Sequence, residues 1–123
     1  MSKYGNRKTT ITLPLPPSAN RLWRMDKRGF MRLSEEGRDY KSIVAVLAMR
    51  DGVVMQTGLL SVTIKVYRAR KVGDLDNRIK PVLDALQGCA YEDDKQIVEI
   101  HAYRYDDKYN PRVEVTIVEV RSE

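Results

Sequence analysis

Two short acidic segments stand out in a basic chain: Asp74-Leu75-Asp76-Asn77-Arg78-Ile79-Lys80, and further along Tyr91-Glu92-Asp93-Asp94. Carboxylates gathered at one place repel one another. A divalent cation relieves that repulsion, and hard cations such as Mg²⁺ take oxygen ligands. In a chain of net charge +5, such a cluster points to metal-assisted chemistry on a polyanion, a phosphodiester being the obvious candidate.

Each residue also has a plainer reading. In an extended segment Asp74 and Asp76 point to one side, their α-carbons ~7 Å apart, which a cation can bridge. Asp76 or Asn77 can equally cap the helix that follows, with no metal. Lys80 lies four residues after Asp76 and four before Asp84, so the three share a helix face. That is either a surface ion-pair ladder or an ammonium poised over a scissile phosphate, offsetting charge that develops there. Asp84 reads as the structural partner of Lys80. Glu92, Asp93 and Asp94 fall in a turn, where Asp serves local hydrogen bonds; a carboxylate from this separate element would complete an oxygen-rich site. His101 is the only histidine, which excludes multi-histidine zinc sites and disfavours a histidine general base. It reads as an ordinary strand residue.

The elements that must position these groups follow from periodicity. Thr10 to Leu15 alternates and reads as a strand, with Pro14 implying an edge position or an early end. Pro16-Pro17-Ser18-Ala19-Asn20 reads as a stiff extended turn, and residues 21–33 as an irregular hairpin turning at Asp26-Lys27-Arg28-Gly29. Ser34 is a candidate N-cap for a helix running to Asp51-Gly52, with Tyr40, Ile43, Val44 and Leu47 on its apolar stripe. Leu60 to Tyr67 is the cleanest strand. A second helix spans Asn77 to about Gln87, with Ile79, Leu83 and Leu86 inward and Pro81 near its first turn. Strands follow near Gln96–Tyr105 and Arg112–Val120, joined as a hairpin through residues 107–111. The order β-α-β-α-β-β predicts an α+β domain: a single mixed sheet of about four strands with two helices packed on it. The domain spans residues 1–123, with 1–9 and 121–123 read as flexible ends.

Composition bounds the function. A chain of 123 residues with 42% hydrophobic and 32% charged content makes one modest core. Its longest apolar run, Ile43 to Met49, is far below the ~20 residues that cross a membrane. Cys89 is the only cysteine; with no internal disulfide available, it reads as a small buried residue of a cytoplasmic protein. The pI of about 9.4 permits nucleic-acid binding, and the distribution sharpens this. Arg21, Arg24, Lys27, Arg28 and Arg32 cluster with Trp23 and Phe30, while Lys65, Arg68, Arg70 and Lys71 cluster with Tyr67. Basic side chains track phosphates and aromatics stack on unpaired bases.

Three motifs in order give the chain a specific likeness: Ile11-Thr12-Leu13-Pro14-Leu15-Pro16-Pro17-Ser18-Ala19-Asn20-Arg21; Asp74-Leu75-Asp76-Asn77 with Lys80 and Asp84-Ala85-Leu86; and Asp93-Asp94-Lys95-Gln96-Ile97-Val98. From about Thr10 to Val120 the chain resembles the RusA family of Holliday junction resolvases, small endodeoxyribonucleases common in phages and prophages. The resemblance implies a homodimer that uses Mg²⁺, with Mn²⁺ as a substitute, and nicks four-way DNA junctions at two symmetric positions in recombination and repair. It puts the catalytic and metal-ligating aspartates on Asp74, Asp76 and Asp94 and the catalytic lysine on Lys80. Asn77 and Asp93 support the site. The DNA face implied includes Asn20, Arg21, Arg24, Lys27, Arg28, Arg68, Arg70 and Lys71. One departure is local: RusA proteins run basic up to the first aspartate, whereas Val72-Gly73 intervene here. That bears on which basic side chains reach the DNA.

The other readings are a non-catalytic DNA-binding module of a phage replication or packaging system, and a metal nuclease acting on RNA or flaps.

Overall fold

The computed structural model describes residues 3–69 and 75–121. Among these residues, six strands and three helices occur in the order β1 (Tyr4–Leu13), α1 (Ala19–Leu22), β2 (Trp23–Met25), β3 (Met31–Leu33), α2 (Glu35–Arg50), β4 (Leu59–Arg68), α3 (Asp76–Leu86), β5 (Ile97–Asp106), β6 (Arg112–Val120). A 3₁₀ turn, Asp94–Gln96, leads into β5. The main sheet has the order β1-β6-β4-β5, and β2 and β3 form a separate two-stranded ribbon.

The fold is α+β with a mixed four-stranded sheet, as the alternation predicts, and with three helices rather than two. The additional helix is a single turn that spans the end of the segment expected to be extended and the first two residues of the expected hairpin. Ser18 is extended (φ −64°, ψ 155°), and the chain coils directly after it because Leu22 is drawn into the core.

A second correction concerns the last two strands. β5 and β6 are not a hairpin: β4 lies between them, parallel to β5 and antiparallel to β6. Burial explains the order. Val113, Val115 and Ile117 of β6 are fully buried, so β6 needs a neighbour on each side and takes β1 and β4. β5 leaves Val98 and Ile100 about half exposed, as an edge strand can. The linking residues 107–111 need only cross two strand spacings, about 10 Å, and the Asp107 amide donates to the Arg68 carbonyl at the end of β4 (2.8 Å) on the way.

β1 begins at Tyr4, well before the alternating stretch starts, pairs with β6 along one edge, and ends at Leu13, where Pro14 removes the next donor. α2 matches its expected bounds. Ser34 caps it, accepting from the Gly37 amide (3.0 Å) while donating to the Arg21 carbonyl (2.6 Å). Gly37 packs so closely that an added Cβ would sit 2.9 Å from the Leu33 side chain.

Both long helices cover one face of the sheet. Tyr40, Val44 and Ala48 of α2 and Val82, Ala85 and Leu86 of α3 pack on Ile11, Leu13, Val62, Ile64, Val66, Val115 and Ile117. The α2 stripe omits Ile43, which is 46% exposed. In α3, Val82 and Ala85 are deeper than the half-buried Ile79 and Leu83. The opposite sheet face, carrying Thr63, Lys65 and Tyr67 of β4 beside His101, Tyr103 and Tyr105 of β5, has no helix on it among the described residues.

Candidate active site

β4, α3 and β5 form a parallel β-α-β unit. The aspartate-rich motif lies where β4 gives way to α3, and the second acidic segment where α3 returns to β5. The crossover therefore brings both ends of the motif pair to a single helix.

Asp74, Arg70 and Lys71 lie outside the described residues, and Asp76 is described only as the first residue of α3. Leu75 holds the cap position in right-handed helical conformation (φ −60°, ψ −45°), so neither Asp76 nor Asn77 is the N-cap. Asn77 is half-buried in the first turn. Arg78 donates to the Pro16 carbonyl, and Tyr40 donates to the Pro14 carbonyl (2.8 Å). These two bonds fasten the proline segment to α3 and α2. Lys80, one turn into α3, is exposed, with Nζ 3.5 Å from Oδ1 of Asp84. The other Asp84 oxygen is buried without a hydrogen-bond partner among the described residues. Lys80 and Asp84 line a cleft of about 240 Å³ together with Trp23, Leu33, Lys41 and Pro81.

The second acidic segment is held by residues that spacing alone does not single out. Tyr91 is fully buried and donates its hydroxyl to the Leu83 carbonyl of α3. Burial first, then the negative charge of Asp84 and Asp94, pushes its pKa well above the ordinary tyrosine value. Asp94 and Asp84, from different elements, thus both lie within electrostatic reach of one hydroxyl. Gln96 is the other clamp. Its Oε1 accepts from the amides of Glu92 and Asp93 (2.9 Å each), and its Nε2 donates to the carbonyls of Gln56 and Gly58 (2.9 Å each). Both donors and the acceptor oxygen are in use. Asp93 accepts from the Lys95 amide (2.9 Å) and closes a capping box with Gln96. The order Asp-x-x-Gln is a capping-box signature, so this clamp is legible in principle from the sequence.

The Asp93 pKa lies below its ordinary value, chiefly through the Lys95 amide, with a side-chain contact to Asp94 adding to the effect. Asp93 and Asp94 are both exposed, and carboxylate oxygens are the donors that hard divalent cations take. Among the described residues no group of three His, Cys, Asp or Glu is close enough to hold a metal. Asp94 would need partners from outside them.

The expected DNA-binding residues divide. Asn20, Arg24 and Lys27 are exposed on α1 and the β2–β3 ribbon, and Arg28 is exposed there too, 3.7 Å from Asp26 and over the Phe30 ring (5.6 Å to its centroid). Arg21 is exposed but paired with Glu36 (2.7 Å). Arg68 is largely covered and paired with Asp106 (3.0 Å). Tyr67 stacks on Tyr105 (5.0 Å between centroids) beneath the Arg112 guanidinium (3.8 Å). His101 is an exposed strand residue, 3.7 Å from Glu99. Cys89 is half-buried, and burial raises its pKa, which suits an inert thiol. No helix among the described residues is long and apolar enough to cross a membrane.

Residues 14–118 match the family model described as endodeoxyribonuclease RusA. The chain is 36% identical over 118 residues to the crossover junction endodeoxyribonuclease rusA of Enterobacteria phage 82, covering 92% of this chain and 96% of that protein. It is 36% identical over 120 residues to the protein of the same name from Escherichia coli K12, covering 93% and 97%, and 35% identical over 120 residues to that from Shigella sonnei, with the same coverage. The matched span runs from the proline segment clamped by Tyr40 and Arg78, through α3, into the last central strand, and the chain belongs to the RusA family of endodeoxyribonucleases.

Proposed function

We propose that this protein is a divalent-metal-dependent endodeoxyribonuclease that resolves four-way DNA junctions by paired symmetric nicks, acting as a homodimer in recombination and repair. The observation that carries the reading is the fastening of the Asp93-Asp94 turn on two sides, to α3 through the Tyr91 hydroxyl on the Leu83 carbonyl and to the loop before β4 through Gln96 on the Gln56 and Gly58 carbonyls. It ties the second acidic segment to the helix that begins at the first.

Asp74, Asp76 and Asp94 would hold one or two Mg²⁺ ions, or Mn²⁺ in their place. When bound, the metal supplies an acidified water and countercharge for the departing oxygen. Lys80 presents an ammonium to the scissile phosphate and offsets the negative charge that grows as the bond breaks. Its weak contact with Asp84, at 3.5 Å, costs little to exchange for a phosphate oxygen. Asn77, in the first turn of α3, supports the aspartates, and Asp93 supports the site by holding the turn. Arg24, Lys27 and Arg28 bind phosphates, with Asn20 and Arg21 beside them, and Arg70 and Lys71 act near the cut. Such contacts read shape in preference to sequence.

A junction has two-fold symmetry, and paired nicks call for two sites related by the same axis. The helix-free face of the sheet suits a second copy. Four strands about 4.8 Å apart and ~30 Å long present roughly 600 Å² per copy, or about 1,200 Å² for the pair, the lower end of stable interfaces. Some of the charges there are paired within the chain: Arg112 with Asp107 and Glu114, and Lys3 with Glu99.

The test is a gel assay on a synthetic four-way junction. Symmetric paired nicks with Mg²⁺ that vanish with chelator are expected. A shifted but uncut junction in both lanes would favour the non-catalytic DNA-binding module, and faster cutting of flaps or RNA would move the substrate class.

A further inference from the structure

The β2–β3 ribbon combines two properties that rarely coexist on a solvated surface. It leaves large apolar side chains in water: Met25 is 68% exposed, Phe30 63% and Met31 58%. Over residues 23–33 it also carries Arg24, Lys27, Arg28 and Arg32 against one acid, Asp26. That aspartate is consumed in shaping the tip. Its Oδ1 accepts from the amides of Arg28 (2.9 Å) and Phe30 (3.0 Å), and its Oδ2 from Nε of Arg32 (2.7 Å). Gly29 takes the left-handed conformation (φ 86°) that closes the turn. The tip is a preformed structure with an apolar crest and a cationic flank.

The ribbon is rooted next to Lys80. The Ser34 amide donates to the Leu22 carbonyl (2.7 Å), and Trp23 and Leu33, the residues at its base, line the cleft shared with Lys80 and Asp84. With three residues per strand, the tip stands ~10 Å from that base, a distance of about three stacked bases at 3.4 Å each.

We propose that this ribbon is a wedge that enters the unstacked centre of branched DNA, with Phe30, Met25 and Met31 against exposed base faces and the four cations on the surrounding phosphates. Apolar wedges of this kind unstack base steps at a cost of a few kcal/mol, least where stacking is already broken. A branch point is such a place, so the wedge selects junctions over plain duplex while the cations bind either. Charge argues against a second ribbon as the occupant: two such tips would bring like charges together. The inference rests on the branched-DNA reading of the site, but it involves neither metal nor cleavage.

The test uses the intact protein in EDTA, with a four-way junction carrying 2-aminopurine at the branch point. Binding of the wild type should raise the fluorescence of the unstacked base. Phe30→Ser and Met31→Ser should each remove at least about half of that rise, while binding to linear duplex and its salt dependence change by less than about two-fold. Both side chains are exposed, so loss of folding is not expected, and circular dichroism checks it. A wild-type complex that forms without a rise in fluorescence would overturn the wedge. So would variants that keep the full rise, or variants whose sedimentation shows that the tip is a dimer contact. Cleavage by the wild type in Mg²⁺, scored separately, keeps the nuclease reading distinct from this one.

Discussion

Lys80 and Asp84 sit one turn apart on α3 with Nζ 3.5 Å from Oδ1, while Oδ2 of Asp84 is buried with no hydrogen-bond partner among the described residues. The pair is long, and its cation is mostly exposed, so its net contribution to stability is within ~0.5 kcal/mol. Lys80→Ala should therefore leave the melting temperature within about 2 °C of wild type and lower kcat for junction cleavage by roughly 10²-fold or more, with KM little changed. Asp84→Asn should slow cleavage no more than a few-fold. Equal losses in both variants would make the pair one structural unit and remove Lys80 from the chemistry.

Gln96 bridges four backbone groups on two segments. Gln96→Leu leaves those groups without their partner, and the expected cost is about 2–4 kcal/mol in urea unfolding. Because the turn it holds carries Asp94, the Mg²⁺ concentration for half-maximal cleavage should also rise several-fold. A destabilised variant with unaltered metal requirement would show that the turn's position is irrelevant to the metal.

Ser34 both caps α2 and fastens the base of the ribbon. Ser34→Ala should cost about 1–2 kcal/mol, and Ser34→Asp, which restores the cap acceptor but not the donor to Arg21, should recover only part. Full recovery by Asp would show that the Arg21 contact contributes nothing measurable.

Glu99 is bonded by Lys3 and by the Tyr4 hydroxyl (2.9 Å) across the open sheet face, and these partners, Lys3 first, hold its pKa at about 2. A carboxyl depressed on folding contributes stability that is complete above its unfolded value and disappears as pH falls to the folded one. The urea midpoint of the wild type should exceed that of Glu99→Gln at neutral pH, and the difference should shrink from about pH 4.5 and close near pH 2. A difference that persists at pH 2 would assign the effect to shape and not to charge.

Much of this molecule is legible in its sequence because local patterns and tertiary burial agree. The Ser34 cap, the α2 span, the Leu59–Arg68 strand and the turn at Asp26–Gly29 each satisfy propensity and packing together. The failures fall where they diverge. Residues 107–111 have hairpin chemistry, yet β6 is too apolar to accept an edge position. The proline segment looks extended, yet Leu22 must reach the core. At the site, the acidic residues are conspicuous by type, whereas Tyr91 reads only as the residue that opens the second acidic segment and Gln96 as a strand start. The capping box is local, but the bonds from Tyr91 to Leu83 and from Gln96 to Gln56 and Gly58 reach distant backbone, which spacing along the chain does not encode.

The central claim is that Asp94 joins Asp74 and Asp76 around a divalent cation. Anomalous diffraction from crystals grown with Mn²⁺ tests it directly. A manganese peak within bonding distance of carboxylate oxygens of Asp74, Asp76 and Asp94, lost in Asp94→Asn, is the predicted result. Ordered aspartates with no peak among them at saturating Mn²⁺, or a peak that survives in Asp94→Asn with unchanged ligands, would contradict the account.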